Sequence, residues 1–410
     1  MKLVKVLISL LVALGITSGA AWAAKYGPGA SDKEIKIGHI NPYSGPASAY
    51  GAIGLTIQAY IKMVNENGGV NGRKINLVTY DDGYSPPKTV EMARKLVEQD
   101  KVLFIFQSLG TPTNTAIHRY MNKKKTPHLF VATGASKWDN PKKYPWTMGW
   151  QPNYPTEATI YARHIAENLA GAKIGILYQN DDFGKDYLEG FQKGLKKFTK
   201  GMKNPPKIVK EQSYEVTNPT VDSQIVNLKN SGADTLVNIT TPKFAAQAIK
   251  KVAGLGWKPN HYLTNVATSV GAVMIPAGVE NGDGIISSQY LMDPTDPMFK
   301  DTDEAKKWYA FMAKYQPKAS LHSTFNVYGY SVGHTLMQVL EQAGDDLTRA
   351  NIMKQAASLN KYKAPMLLPG ITISTSANDF APIQQMQLMK FDGKGKDHGW
   401  RGFGDVLGAN

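Results

Sequence analysis

The chain of 410 residues contains no cysteine. It therefore has no disulfide, no thiolate nucleophile or metal ligand, and no cysteine on which a lipid anchor could be built. It also lacks the G-x-x-x-x-G-K-[ST] and G-x-G-x-x-G patterns, so nucleotide phosphates find no recognisable cradle. The 8 histidines are dispersed, with no H-E-x-x-H and no pair at metal spacing. Neither a cofactor nor a metal is expected. No apolar run reaches the roughly 20 residues that a bilayer needs. With 42% hydrophobic and 20% charged residues and a mean hydropathy of -0.31, the composition is that of a soluble globular protein long enough for two cores.

What is present at the start does not read as fold. Lys2 and Lys5 precede the almost wholly apolar Val6–Ile16, and Ala21-Trp22-Ala23 is a small-x-small cleavage site. These are the three parts of a secretory signal peptide over residues 1–23, which predicts a free periplasmic protein. The formal charge of +14 includes Lys2 and Lys5. Apart from Lys123–Lys125 the remaining lysines are scattered singly or in pairs, without the aromatic interleaving of a nucleic-acid platform. A solvated surface is expected, with no nucleic-acid partner, and its field favours an anionic ligand.

Strands and helices alternate along the rest. Strands are predicted at Ile35–Ile40, Ile75–Tyr80, Val102–Phe106 and His128–Val131, with helices at Ala49–Val64, Pro87–Glu98 and Thr113–Asn122 between them. After "PWTMGWQPNYP" the rhythm restarts: helices at Glu157–Asn168, Lys185–Lys197, Val221–Asn230 and Lys243–Leu255, strands at Lys173–Tyr178, Lys207–Glu215 and Thr235–Ile239. Strands that are apolar throughout predict parallel sheets covered on both faces, in two units of one α/β design.

Open parallel sheets bind ligands beyond the carboxyl ends of their strands. In "FIFQSLGTPTNTA" an apolar run gives way to Gly110, Thr111 and Thr113, and in "LFVATGASKW" another gives way to Thr133, Gly134 and Ser136. Such residues either cap helices or, with the free N–H groups of a first helical turn, hold a carboxylate or phosphate. Two such ends on one sheet favour anion capture. "GYSVG" at Gly329–Gly333 matches the nucleophile elbow, with Asp379 and His398 downstream in hydrolase order. Yet Phe325, Tyr328, Val332, Leu336, Val339 and Leu340 recur at helical spacing, which puts Ser331 inside a helix and leaves the glycines for close packing. No catalytic residue is expected, and a serine hydrolase using Ser331 stands as a remote alternative. The acidic pairs Asp81-Asp82, Asp181-Asp182 and Asp345-Asp346 border loops, where turn and cap roles come first.

"IKIGHINPYSGPASAYG", the "NENGGVNGRK" turn, the "DDGYSPP" loop, "LYQNDDFGKDYLEG" and "SYEVTNPTVDSQI" follow one another as in the leucine/isoleucine/valine-binding family of type I periplasmic solute-binding proteins, which serve ABC importers. The resemblance covers essentially the whole mature chain. It implies two Rossmann-like doubly wound lobes joined by three crossovers near Trp150, Asp283 and Gly370, which close on a ligand. Lobe 1 would be residues 31–150 plus about 284–369, lobe 2 residues 151–283 plus about 370–405, in a monomer that meets an inner-membrane permease.

Carried over from the family, Gly110, Thr111, Gly134 and Ser136 hold the ligand carboxylate, Tyr50 and Phe183 are aromatic walls, and Phe325 is a further apolar wall. Two positions depart from the pattern. Asn265 stands where relatives that bind α-amino acids have an acid for the ammonium, and Thr240 or Thr241 replaces an aromatic. Neutral donors and acceptors there suit hydroxyl or carbonyl groups. The expected ligand is a small carboxylate, an aromatic acid of hydroxybenzoate or hydroxycinnamate type; the alternative is a branched-chain or other apolar amino acid, with Asp181 or Asp182 supplying the counter-charge.

Overall fold

The computed structural model describes residues 25–408 except Thr295, so the signal-peptide segment lies outside the described residues. Two sheets organise the chain. The first has five parallel strands in the order Lys74–Asp81, Glu34–Asn41, Ile105–Phe106, His128–Val131 and Thr147–Gly149. His128–Val131 is buried at every residue, as a strand covered on both faces must be. The strand expected over Val102–Phe106 is shorter, although the Leu103 N–H already bonds to the Lys36 carbonyl and the Phe104 carbonyl accepts from the Gly38 N–H.

The second sheet has seven strands, in the order Gly399–Leu407, Met386–Asp392, Ile286–Gln289, Asn260–Leu263, Thr235–Ile239, Lys173–Gln179 and Lys207–Tyr214. Five are parallel; Met386–Asp392 and Gly399–Leu407 add an antiparallel edge. The fold is mixed α/β, two doubly wound lobes of the type I periplasmic binding protein kind.

The chain passes between the sheets at places set by hydrogen bonding. The first passage leaves the five-stranded sheet after Thr147–Gly149 and leads into helix Tyr154–Asn168. The second comes after Gln289, not near Asp283, because Ile286–Gln289 pairs inside the seven-stranded sheet. The third comes just before Met386, not near Gly370. Residues around Gly370 stay on the first lobe, where Ile373 pairs with Tyr362 and the Phe380 N–H bonds to Asp139. Tyr290–Met292 runs beside Met366–Leu368, with Met292 N–H on the Met366 carbonyl and Leu368 N–H on the Tyr290 carbonyl.

Helix Thr324–Ala343 lies against helix Gly51–Glu66 at the two glycines of "GYSVG". A Cβ on Gly329 would stand 2.8 Å from Thr56, and one on Gly333 would stand 2.6 Å from the Tyr60 ring. Ser331 between them is fully buried in the helix interior. The elbow alternative fails on this geometry, since a nucleophile elbow is a strand-to-helix turn with an accessible serine. Asp379 accepts from the Ala381 N–H and Gln384, and His398 stacks on His322.

Candidate ligand-binding cleft

The carboxyl ends of both sheets face a cavity lined by residues of both lobes, about 830 Å³ with the open solvent at its mouth included. From the first lobe, helix Thr111–Lys123 brings its N-terminus to the wall at Gly110 and Thr111. Gly110 has φ +101, and a Cβ there would fall 2.4 Å from the Tyr84 ring, so this turn accepts only glycine. The first-turn N–H groups have no intrahelical acceptor, and Pro112 has no N–H to offer. The Thr111 hydroxyl bonds to that of Thr133 at 2.5 Å, and Thr133 reaches the Tyr154 hydroxyl at 3.2 Å.

Aromatic rings supply most of the remaining wall. Tyr50 and Phe325 meet at 5.1 Å on the first lobe, and Tyr154 and Phe183 meet edge-on at 5.0 Å on the second. Phe183 is set by the cap before it: the Asp181 carboxylate accepts from the Phe183 and Gly184 N–H groups, and burial raises its pKa. The Tyr50 hydroxyl crosses the cleft to the Val266 carbonyl at 3.0 Å. Among the described residues no Lys, Arg or His lines the cavity.

Six of the nine residues named from the sequence, Tyr50, Gly110, Thr111, Phe183, Asn265 and Phe325, lie on this wall. Gly134, Ser136 and Thr240 do not. The Gly134 carbonyl accepts from the Tyr154 N–H, and a Cβ there would press within 2.5 Å of the Pro152 carbonyl. Ser136 gives its N–H and hydroxyl to the Asp186 carboxylate of the other lobe, at 2.8 and 2.7 Å. The carboxylate on Ser136 in this structure is the protein's own. The Thr240 hydroxyl is buried on Asn238, and its neighbour Thr241 takes the place on the wall. Asp182 bonds Lys137 and Thr115 between the lobes, while Asp181 caps its helix. Neither lines the cavity.

Sequence reasoning missed several groups, the wall rings Tyr154, Tyr290 and Tyr328 among them. Tyr84 lies in "DDGYSPP", read as a loop, yet it is buried on the wall with φ +61, held by Asp82 accepting from its N–H. A bulky residue in that region is an outlier worth a functional reading. Asp293 and Trp400 also line the cavity. Glu157 stands directly behind Asn265: fully buried, its Oε1 accepts from the Asn265 N–H at 2.6 Å, the Tyr161 hydroxyl at 2.7 Å and the Ser288 hydroxyl at 3.1 Å. Burial raises its pKa from 4.5 to about 7, against the lowering effect of these bonds. "PTEATIYARHIA" carried no cue beyond a charged residue on the buried face of an apolar helix.

The family profile of periplasmic binding proteins matches residues 34–396. The chain belongs to the periplasmic binding protein family. Leu/Ile/Val-binding protein homolog 7 of Brucella abortus (strain 2308) is 24% identical over 407 residues, covering 94% of each chain. A branched chain amino acid ABC transporter protein from Thermus thermophilus, solved with bound valine, superposes with a TM-score of 0.81 at 16% identity, over 92% of this chain and 97% of that one. A solute binding protein of an ABC transporter from R. palustris, solved in complex with 4-hydroxybenzoate, gives a TM-score of 0.76 at 19% identity, over 92% and 97%.

In this periplasmic binding protein the Ser136–Asp186 pair joins the lobes on one side of the cleft. Tyr50–Val266 joins them on another. Asp186→Ala removes both bonds to Ser136, each of the order of 1.5–3 kcal/mol for a charged acceptor. The expected result is a larger radius of gyration in solution scattering without ligand; an unchanged curve would show that the pair does not hold the lobes together.

Proposed function

We propose that the protein is the solute-binding component of an ABC importer, carried to the periplasm by residues 1–23, acting as a monomer and delivering its ligand to an inner-membrane permease. Its ligand is a small carboxylate with an aromatic body, of the hydroxybenzoate or hydroxycinnamate type. The observation that carries this reading is the joining of one helix N-terminus at Gly110 and Thr111 to a cavity walled by aromatic rings. The carboxylate takes the Thr111 and Thr113 N–H groups, the Gly110 N–H being bonded to the Ala132 carbonyl, the ring lies among Tyr50, Phe325, Tyr154 and Phe183, and a polar substituent reaches Asn265 and Thr241. The 4-hydroxybenzoate in the R. palustris relative supports the same class.

A second reading, an apolar α-amino acid, is favoured by one observation: the buried carboxyl of Asp293 on the cavity wall. An ammonium needs such a partner in a buried site. The valine in the Thermus relative accords with it. Calorimetry with 4-hydroxybenzoate and leucine separates the two. The expected result is a preference for the aromatic acid of at least about tenfold, equivalent to 1.4 kcal/mol; tighter leucine binding would transfer the function to the second reading.

A further inference from the structure

Glu157 is neither a ligand contact nor an ordinary core residue. It comes from helix Tyr154–Asn168 and meets Asn265 from behind, at the end of strand Asn260–Leu263. Asn265 in turn donates its side-chain amide to the Ser288 carbonyl at 2.7 Å, and the next residue, Val266, receives the Tyr50 hydroxyl from the opposite lobe. One carboxyl thus supports both a cavity wall and a contact that joins the lobes.

The surroundings accommodate two protonation states. Tyr161 has two acceptors within reach, Glu157 at 2.7 Å and the Leu263 carbonyl at 2.8 Å. Ser287 also donates to the Leu263 carbonyl, and the Tyr161 oxygen lies 3.2 Å from both Ser287 and Ser288. With Glu157 ionised, Tyr161 donates to it. With Glu157 protonated, Tyr161 turns to Leu263 and accepts, so the Tyr161 hydroxyl has an acceptor in both states. The titratable groups that face the carboxyl are tyrosines: Tyr154 and Tyr161 on its own helix, Tyr187 from helix Asp182–Phe198 and Tyr290 beyond strand Ile286–Gln289. All are held above their ordinary values by burial and are neutral near pH 7. Asn265 and Ser288, from the two remaining elements, carry no charge. Glu157 forms no ion pair among the described residues, so its own proton decides the charge behind Asn265.

We propose that Glu157 is a specificity-determining residue, whose protonation state selects, through Asn265, between anionic ligands and ligands bearing an ammonium group. The inference rests on the cleft being the ligand site. Burial brings the carboxyl's titration to about 7, so the selection operates near neutral pH. Below that value the carboxyl is neutral and an anion meets no like charge. Above it the ionised group repels a carboxylate and attracts an ammonium.

The test is calorimetry at pH 6 and pH 8, one unit either side of the shifted value, with native protein and Glu157→Gln. Native protein should bind 4-hydroxybenzoate about tenfold more weakly at the higher pH, or 1.4 kcal/mol, and Glu157→Gln should show no such change. Equal pH dependence in both proteins would overturn the proposal. If leucine binds and 4-hydroxybenzoate does not, the aromatic-acid reading fails separately. The Glu157 proposal then requires leucine affinity to rise with pH in native protein and to stay level in the variant. Should Glu157→Gln not fold, native protein alone decides. Binding of 4-hydroxybenzoate at pH 7 in two buffers of different ionisation enthalpy should reveal proton uptake, and none would refute the idea.

Discussion

Gly110→Val is expected to weaken ligand binding by at least about a hundredfold while the chain still folds, because every 1.4 kcal/mol is tenfold and two separate penalties apply. At φ +101 and ψ 144 the backbone lies where side chains are strongly disfavoured, a strain of roughly 1–3 kcal/mol. The new Cβ would also stand 2.4 Å from the Tyr84 ring and 2.7 Å from the Thr113 hydroxyl. Tyr84 cannot yield easily, since its own backbone is at φ +61 and its N–H is tied to Asp82. The helix start or the ring must move, and both line the cavity. Calorimetry together with circular dichroism distinguishes lost binding from lost fold. A variant within threefold of native affinity would remove the Gly110 turn from the site.

Trp150→Ala is expected to cost about 3–5 kcal/mol of stability, the range for deleting a large buried aromatic, and to loosen the joint between the lobes. The indole is fully buried at the first passage between the sheets. Its rings face Tyr328 at 4.9 Å and Tyr290 at 6.0 Å, both on the cavity wall, and its N–H bonds to Thr335 in helix Thr324–Ala343. The side chain therefore ties the first passage to the second and to a first-lobe helix. Thermal unfolding should show a fall of several degrees in the melting temperature, and Trp150→Phe should recover much of it. A melting temperature unchanged in the alanine variant would mean that the joint is held elsewhere.

Much of this architecture is legible in the sequence. The runs His128–Val131 and Thr235–Ile239 are strands buried at every residue, and the isoleucines of Ile35–Ile40 are buried as well, as cover on both faces of a sheet requires. The helical spacing around Ser331 outweighed the elbow pattern for the same reason: the periodicity reports which face is buried. The start of helix Thr111–Lys123 was legible from the glycine and threonines after an apolar strand. The antiparallel edge Met386–Asp392 with Gly399–Leu407, and the passages at Gln289 and before Met386, were not. They depend on which strand finds which edge, and no local period records that.

By itself, the sequence determined the alternation of elements, the two-lobed α/β class and the Gly110 turn, all of which follow from burial and backbone preference over a few residues. Only the tertiary structure decided the chemistry of the cleft. Gly110 and Ser136 look alike as strand ends, but the first faces the cavity and the second faces Asp186, fifty positions away. Asn265 reads as a neutral wall until Glu157, 108 positions earlier, is found behind it. A ligand site between two lobes is assembled from strand ends distant in the chain. Its charge is set by burial and by partners that come together only when the sheets face each other.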